Sequence, residues 1–357
     1  MRRITLKYVK PGMFAGYAIH DKFGNLLIAQ NERLDEESVK CLVDNGVPEL
    51  FVHDKRVADI LVVPMFSPAL EGRLVEVLAG VIEQNVNGEA IGQEYIDELS
   101  VIIYHIIEDM SQNYLGDVNV AYNIMPQDYI VLQPVKTAGL AMALGHHLKL
   151  SDDEIASIGM AALLKDIGLP YELIRGGCSS TEANTPEMHG HPENGYNILA
   201  EGSLVSQEVG DAVLQHHEFW NGSGYPQGLK GHDISKYAQI ISIADTFVDL
   251  QAMRPTGERY MSHLAIEYIM ANAGDQFSPE LVESFVRYVP SYPAGLTVEL
   301  SSGEKGIISN PNRGIVARPI VRICYEPKKG SLDEPYDLDL AKSQYQTKLI
   351  TKVLEYD

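Results

Sequence analysis

The sequence predicts a mainly α-helical protein with a small α+β module at its amino-terminal end and a β-rich segment at its carboxy-terminal end. Helix-length segments with apolar residues three and four positions apart fill most of residues 65–290. Short strand-like runs between turn residues precede them, and alternating apolar residues follow them. We therefore divide the chain into four parts: an amino-terminal regulatory-type module (1–64), a helical linker (65–115), a helical domain (116–290) and a β-rich appendage (291–357).

The amino-terminal module is predicted from turns that separate short apolar runs. Residues 17–19 and 26–28 flank the polar segment 21–25, a pattern typical of a hairpin. Residues 34–45 are predicted as a helix that ends before a glycine, and residues 50–52 as the next strand. The module is thus small and mixed in structure.

The predicted linker has apolar residues at helical spacing over residues 70–114, interrupted once by the Asn-Val-Asn-Gly sequence at 85–88. We interpret it as two packed helices. A dimerising coiled coil is the alternative, which leaves a homodimer open, but the segment contains too few heptads to support it.

The β-rich appendage contains four apolar runs separated by Ser-Ser-Gly and Asn-Pro-Asn-Arg-Gly turns. The predicted strands are 297–300, 306–308, 315–317 and 321–325.

Composition limits the classes of partner. The 357 residues carry a formal net charge of −21, which disfavours general nucleic-acid binding but permits a small anionic nucleotide where cations are concentrated in one pocket. No apolar stretch approaches the length of a membrane span, and no signal-peptide core follows the first arginines. Three scattered cysteines fit neither a disulfide framework nor a zinc motif, so we expect a cytoplasmic protein.

Histidine and aspartate residues are concentrated in the helical domain. The segments are Lys165-Asp166-Ile167-Gly168, His191-Pro192-Glu193, His216-His217-Glu218 and Ala244-Asp245. Imidazole and carboxylate groups together suit first-row divalent metals. Adjacent residues on a helix point about 100° apart, so His216 and His217 reach one ion only if neighbouring helices close around it. Spacing alone leaves metal binding and hydrogen-bonded core histidines equally open.

A glycine-rich loop, residues 220–229, directly follows the histidine pair. Its glycines permit close approach of the backbone to a ligand, and Trp220 or Tyr225 would offer a ring for stacking on a base. An ordinary surface turn is the alternative.

The stretch from His216 to Gly231, which reads HHEFWNGSGYPQGLKG, resembles the signature of HD-GYP domains, a branch of the HD hydrolase superfamily. The flanking segments 161–168, 191–193, 244–245, 254–255 and 276–279 resemble that family as well, and the amino-terminal module resembles a domain found before HD-GYP domains. The resemblance implies an all-helical HD-superfamily bundle. It also implies hydrolysis of the bacterial second messenger cyclic di-GMP at a centre of two or three metals.

The same resemblance assigns roles to individual residues. The implied metal ligands are Asp166, His191, His216, His217 and Asp245, of which Asp166 and Asp245 are also the implied catalytic residues. The implied substrate contacts are Arg254 and the loop Gly224-Tyr225-Pro226, a loop that is associated in this family with diguanylate cyclase domains. Five positions depart from the family pattern: Gln133, Lys165, Leu169, Val248 and Thr256.

These departures remove two ligands of the first metal. Glutamine is a poor ligand, and a protonated lysine has no lone pair with which to ligate. We expect the Lys165 ammonium to lie between Asp166 and Asp245, with a side chain turned to solvent as the alternative. The remaining set, Asp166 with the three histidines, would hold at most one divalent transition metal (iron, manganese, nickel or zinc), or none.

The sequence therefore predicts a degenerate HD-GYP protein with absent or strongly reduced phosphodiesterase activity. Its expected role is sensing of cyclic di-GMP, or contact with a diguanylate cyclase or other signalling protein through the Gly-Tyr-Pro loop. An active, divergent phosphodiesterase that uses one metal, or that borrows His189 or Glu193 as a ligand, is the alternative. A purely structural role without metal or nucleotide is the third hypothesis.

Overall fold

The computed structural model describes residues 1–21, 25–47, 49–60, 65–113, 129–170, 186–252, 259–312, 315 and 317–354. These residues group into two compact units. The first unit combines the residues up to 60 with those from 289 onward. The second unit contains the described residues between 65 and 288.

The amino-terminal part of the first unit contains the predicted strands and helix. Its elements are β1 (Arg2–Thr5), β2 (Ile19–His20), β3 (Leu26–Ile28), α1 (Glu36–Asp44) and β4 (Glu49–Val52). β1 pairs with β4 and β2 pairs with β3, both antiparallel, so the hairpin partners are confirmed. The Asp35 side chain accepts a hydrogen bond of 2.8 Å from the Ser38 N–H and so caps α1.

The carboxy-terminal part of the first unit is one antiparallel sheet with the strand order β8-β7-β6-β5-β9. The strands are β5 (Thr297–Leu300), β6 (Lys305–Asn310), β7 (Ile320–Glu326), β8 (Gly330–Asp339) and β9 (Ile350–Leu354). The strand predicted at 315–317 is wrong. Ala317 adopts a φ of +62° in a turn, and Ile315 is about half exposed, so these two residues belong to the β6–β7 connection, while Val316 lies outside the described residues.

The sheet buries apolar side chains on both faces. One face carries the larger cluster, which includes Val298, Ile308 and Val321. On the other face, Ile307 and Cys324 pack with Val57 and Ile60, at and just beyond the short helix Lys55–Val57. The Arg3 N–H also donates a hydrogen bond of 2.9 Å to the Gly295 carbonyl, which joins the two ends of the chain within this unit.

The second unit is built from helices. They are α2 (Pro68–Val86), α3 (Gln93–Asn113), α4 (Tyr129–His147), α5 (Asp152–Leu164), α6 (Pro186–His189), α7 (His191–Glu201), α8 (Gln207–Gln215), α9 (Lys236–Gln251), α10 (Ser262–Ala271) and α11 (Pro279–Tyr288). α4 packs against both α5 and α9, and α2 and α3 pack on each other and on this bundle. The two helices that we treated as a linker thus belong to the second unit. Within the described residues, no helix is both long enough and apolar enough to cross a membrane.

The turn after α5 is held directly against the start of α7. A capping box formed by Ser151 and Glu154 starts α5, which ends at Leu164, so Lys165 and Asp166 follow its last turn. At Gly168 a Cβ atom would collide with the backbone of His191 and Gly195. Glycine therefore permits the close approach that places Asp166 beside α7.

Candidate metal centre

Three histidines converge within the second unit. His191 begins α7, and His216 and His217 follow the last turn of α8. One ligand atom from each lies within 4.8 Å of those of the other two. His191 and His216 are fully buried, and His217 is partly exposed. Helices α7 and α8 therefore close around one point, as the adjacent histidines require.

Hydrogen bonds determine which nitrogen of each buried imidazole carries the proton. Nδ1 of His191 lies 2.5 Å from the Met188 carbonyl oxygen, and Nδ1 of His216 lies 2.6 Å from the Val213 carbonyl oxygen. A carbonyl only accepts, so both Nδ1 atoms are donors and both Nε2 atoms carry lone pairs. These two Nε2 atoms face each other at 3.2 Å. Two facing lone pairs repel, and a cation bound to both relieves the repulsion.

All three imidazoles are held in the neutral form. Burial lowers the pKa of His191 and lowers the pKa of His216 and His217 well below the usual value. For His216 and His217 the neighbouring imidazoles lower the pKa further. Because a metal binds the neutral ring, the burial that disfavours protonation also prepares these nitrogens as ligands.

A carboxylate oxygen lies beside two of these histidines. Asp166 Oδ1 lies 3.4 Å from His191 Nε2 and 3.9 Å from His216 Nε2. Among the described residues, neither Asp166 Oδ1 nor His217 Nε2 has a hydrogen-bond partner, although both atoms are buried. Orphaned buried polar atoms are costly, and ligation of one ion would satisfy them. The three imidazole nitrogens, with Asp166 Oδ1 close to two of them, are donors of the types that suit a divalent transition metal.

The other oxygen of Asp166 contacts a lysine. The Lys165 ammonium bonds Asp166 Oδ2 and lies 2.8 Å from Asp245 Oδ1. The side chain of Lys165 is 1% exposed. Burial alone would lower the pKa of Lys165, but the two carboxylates outweigh it and raise the pKa above the usual value. The expected position between the two aspartates is confirmed, and the alternative of a solvent-facing lysine is wrong.

Helix α4 supplies two further donors to the same aspartate oxygen. Gln133 Nε2 lies 2.6 Å from Asp245 Oδ1, and Thr137 Oγ1 lies 3.5 Å from it. Asp245 Oδ1 is therefore surrounded by an ammonium, an amide and a hydroxyl group. Val248 is fully buried, and Leu169 is nearly so. Polar donors thus surround Asp245 Oδ1. Val248 and Leu169, two other positions that depart from the family pattern, are packed in the apolar interior.

A cavity of about 870 Å³ opens beside the histidines. His217, Tyr225 and Asp245 line it, together with two aspartates that we did not predict, Asp249 and Asp275. Asp249 lies one helical turn after Asp245 on α9, so the i,i+4 spacing on one helix face was a usable signal for it. The described lining contains no lysine or arginine. The predicted phosphate contact Arg254, like Pro255 and Thr256, lies outside the described residues.

The Gly-Tyr-Pro loop forms one wall of this cavity. The Tyr225 ring stacks on His217 with centroids 4.8 Å apart, and His189 stacks on Tyr225 at 4.3 Å. Burial, followed by the charges of Asp166 and Asp245, raises the pKa of Tyr225, so its phenol stays protonated. His189 is not among the three converging histidines, and Glu193 is exposed.

A buried glutamate fixes the shape of the loop. Glu218 accepts hydrogen bonds from the N–H groups of Gln227 at 2.6 Å, Gly228 at 3.1 Å and Leu229 at 3.0 Å. At Gly224 a Cβ atom would collide with the backbone of residues 217–219. The loop is thereby held against the histidine pair. Sequence reasoning missed the role of Glu218, because a glutamate beside two histidines is equally typical of a ligand.

Comparison with known proteins places the chain in a family. The family model of the HD domain matches residues 105–281. A cyclic di-GMP phosphodiesterase of Pseudomonas aeruginosa is 27% identical over 248 residues, which are 68% of this chain and 58% of that protein. A cyclic di-GMP phosphodiesterase response regulator of Xanthomonas campestris pv. campestris is 35% identical over 152 residues. The chain belongs to the HD-GYP family.

This HD-GYP protein matches only part of those relatives. The match covers 42% of this chain and 40% of the Xanthomonas protein, so the chain spans about half the length of the two curated relatives. Among solved structures, a HDG"Y"P protein from Bdellovibrio bacteriovorus has a TM-score of 0.49 at 15% identity. That comparison covers 79% of this chain and 97% of the other.

Proposed function

We propose that this chain is a degenerate HD-GYP protein of cyclic di-GMP signalling that acts in the cytoplasm. Its phosphodiesterase activity is absent or strongly reduced, and it works by sensing the nucleotide or by binding a signalling protein. One observation carries the proposal: the Lys165 ammonium occupies the space between Asp166 and Asp245. The names of the relatives support cyclic di-GMP as the nucleotide.

The buried lysine limits the centre to one metal. An ammonium group has no lone pair, so Lys165 cannot ligate, and its positive charge repels a cation placed beside Asp245. The neutral nitrogens of His191, His216 and His217 with Asp166 Oδ1 would hold one ion on the opposite side of Asp166. When bound, a single ion supplies polarisation of a phosphate oxygen and a more acidic water, without the clamp that two ions form on the attacking and leaving oxygens.

The cavity wall also offers little help to a reacting phosphate. Its described lining includes Asp245, Asp249 and Asp275, and contains neither lysine nor arginine. Negative charge grows on the phosphate in the transition state, and carboxylates nearby oppose it. Binding through the base and ribose, with Tyr225 as a stacking ring, is favoured over turnover. Under this proposal Arg254 is the residue that contacts a nucleotide phosphate.

The Gly-Tyr-Pro loop suits a protein contact. Glu218 fixes its backbone from inside, while Asn221, Ser223 and Gln227 are exposed. A loop that is already ordered loses little conformational entropy on binding. We therefore place the contact with a diguanylate cyclase, or with another signalling protein, on this loop.

The alternative is an active, divergent, metal-dependent cyclic di-GMP phosphodiesterase. The observation in its favour is that His217, whose buried Nε2 has no hydrogen-bond partner among the described residues, lines a cavity of about 870 Å³. A single ion there would have substrate access. The two functions differ in metal count and turnover.

The deciding experiment is elemental analysis of anaerobically purified protein, with a cyclic di-GMP hydrolysis assay on the same sample. Zero or one metal per chain without turnover supports the degenerate assignment, and two or more metals with turnover overturns it. One metal with turnover establishes the alternative. The double variant Lys165→His/Gln133→His is the matched gain-of-function test, because it replaces two of the three side chains that bond Asp245 Oδ1 with imidazoles.

A further inference from the structure

The first unit contains its own cavity, of about 280 Å³. It lies between the short helix Lys55–Val57 and the sheet face that carries Ile307 and Cys324. Both side chains line it and are almost completely buried, with exposed fractions of 1% and 4%. Part of the cavity surface is therefore apolar and would favour an apolar ligand body over water.

Cationic groups border this apolar surface. Lys305 on β6 lines the cavity, and its ammonium lies 5.5 Å from the ring centroid of Tyr325, which lines it too. Among the described residues, no carboxylate forms an ion pair with Lys305. Arg56 also lines the cavity, but its Nε and Nη2 atoms contact Asp54 at 3.0 and 2.6 Å. Lys305 is therefore a cation of the cavity lining without an ion-pair partner among the described residues, although Glu299 lies opposite it on β5, and Arg56 is neutralised by Asp54.

We propose that this cavity binds a small organic anion, namely a compact acid with an apolar body. The body would lie against Ile307 and Cys324, and the acid group would meet the Lys305 ammonium, with which it forms a charge-assisted hydrogen bond. Pockets for drug-sized ligands usually measure about 300–1,000 Å³, so a cavity of this size suits a compact acid and excludes a cyclic dinucleotide. The site is independent of the metal centre and of the function proposed for it.

Cys324 provides a direct readout of occupancy in the unchanged, full-length chain. Benzoate and hexanoate serve as aromatic and aliphatic probes, and benzamide and inorganic phosphate as controls that lack the charge or the apolar body. Peptide mass spectrometry after alkylation separates Cys324 from Cys41, which lies on α1 and does not line the cavity. We expect at least one acid to slow alkylation of Cys324 saturably without affecting Cys41. The two controls should not do so.

Variants test the charge. Lys305→Met keeps the aliphatic stem and removes the ammonium, so we expect calorimetry to show about tenfold weaker binding of the protecting acid. Lys352→Met, on β9 and outside the cavity lining, is the matched control and should bind as the wild type does. Three results would each overturn the proposal: no protection by either acid, equal protection by benzamide, or unchanged affinity in Lys305→Met. The protection result needs no variant, so it stands even if a substitution prevents folding.

Discussion

The ammonium nitrogen of Lys165 lies 2.8 Å from Asp245 Oδ1 and also contacts Asp166 Oδ2. One buried cation thus binds two carboxylates from different parts of the chain. The ammonium and the two carboxylates together carry one net negative charge. The remaining Asp166 oxygen, Oδ1, faces the histidines. Asp166 therefore links the lysine side of the site to the side that would bind a metal.

We predict that Lys165→Met destabilises the metal-free protein by about 3–5 kcal/mol, because it leaves two buried carboxylates without a cation. Urea denaturation in the presence of a chelator measures the change. Lys136→Met is the control, because Lys136 contacts Glu71 at a partly exposed position, where loss of the pair costs about 1 kcal/mol or less. Equal losses in the two variants would contradict a stabilising role for the buried lysine.

Removal of one converging histidine should abolish tight metal binding. We expect His216→Ala to weaken zinc or iron binding more than about 100-fold, beyond the 10–100-fold effect typical of outer-shell partners. Competition with a chromogenic chelator measures the affinity. His232→Ala, at an exposed position beside Trp220, should bind metal as the wild type does. Retained binding in His216→Ala would exclude the histidine centre.

The Glu218 carboxylate should control the order of the Gly-Tyr-Pro loop. We predict that Glu218→Ala costs about 1–3 kcal/mol, since it leaves three N–H groups without their acceptor. Hydrogen exchange of the Gln227, Gly228 and Leu229 amides should accelerate. Glu193→Ala changes an exposed glutamate nearby in sequence and should leave these amides protected. Unchanged exchange in Glu218→Ala would show that the loop is ordered by other contacts.

Acid should weaken the first unit through Asp54. Burial would raise the pKa of Asp54, but hydrogen bonds from Arg56 and the charges of Arg56 and Arg2 lower it below 3.8 overall. A carboxylate with a lowered pKa in the folded state stabilises fully above the unfolded pKa, and this stability is lost as the pH falls through the folded value. The wild type should therefore have a higher Tm than Asp54→Asn at pH 6. This difference in Tm should become smaller below about pH 4.

Asp44→Asn provides the comparison for this pH series. Asp44 is exposed at the end of α1, so its substitution should change Tm little at either pH. A difference between the wild type and Asp54→Asn that stays constant from pH 6 to pH 3 would contradict the role assigned to the Asp54 charge.

The sequence predicted those elements whose apolar periodicity was strong. The helices of the second unit and strands β5–β7 fall in this class because each buries a regular set of side chains. Strands β8 and β9 were missed, since both lie at sheet edges and expose much of their length. An edge strand is held by backbone hydrogen bonds to one neighbouring strand. Because these bonds do not depend on side-chain type, they do not produce a regular pattern of apolar residues.

The candidate site was likewise predicted only in part. Motif resemblance brought together the three histidines and two aspartates, and charge reasoning placed Lys165 between Asp166 and Asp245. Neither indicated that Gln133 donates to Asp245 or that Glu218 holds the loop. Those contacts depend on how α4 and the loop pack, which residue spacing along the chain does not encode.

The shared oxygen of Asp245 has a consequence for laboratory evolution. Lys165 reaches Asp245 Oδ1 from the turn after α5 and Gln133 from α4, so exchange of either one leaves the other in place. A library of single substitutions selected for phosphodiesterase turnover should therefore contain no gain at these two positions. Benefit would appear only when both positions are randomised together, which makes this carboxylate oxygen a point of strong positive epistasis.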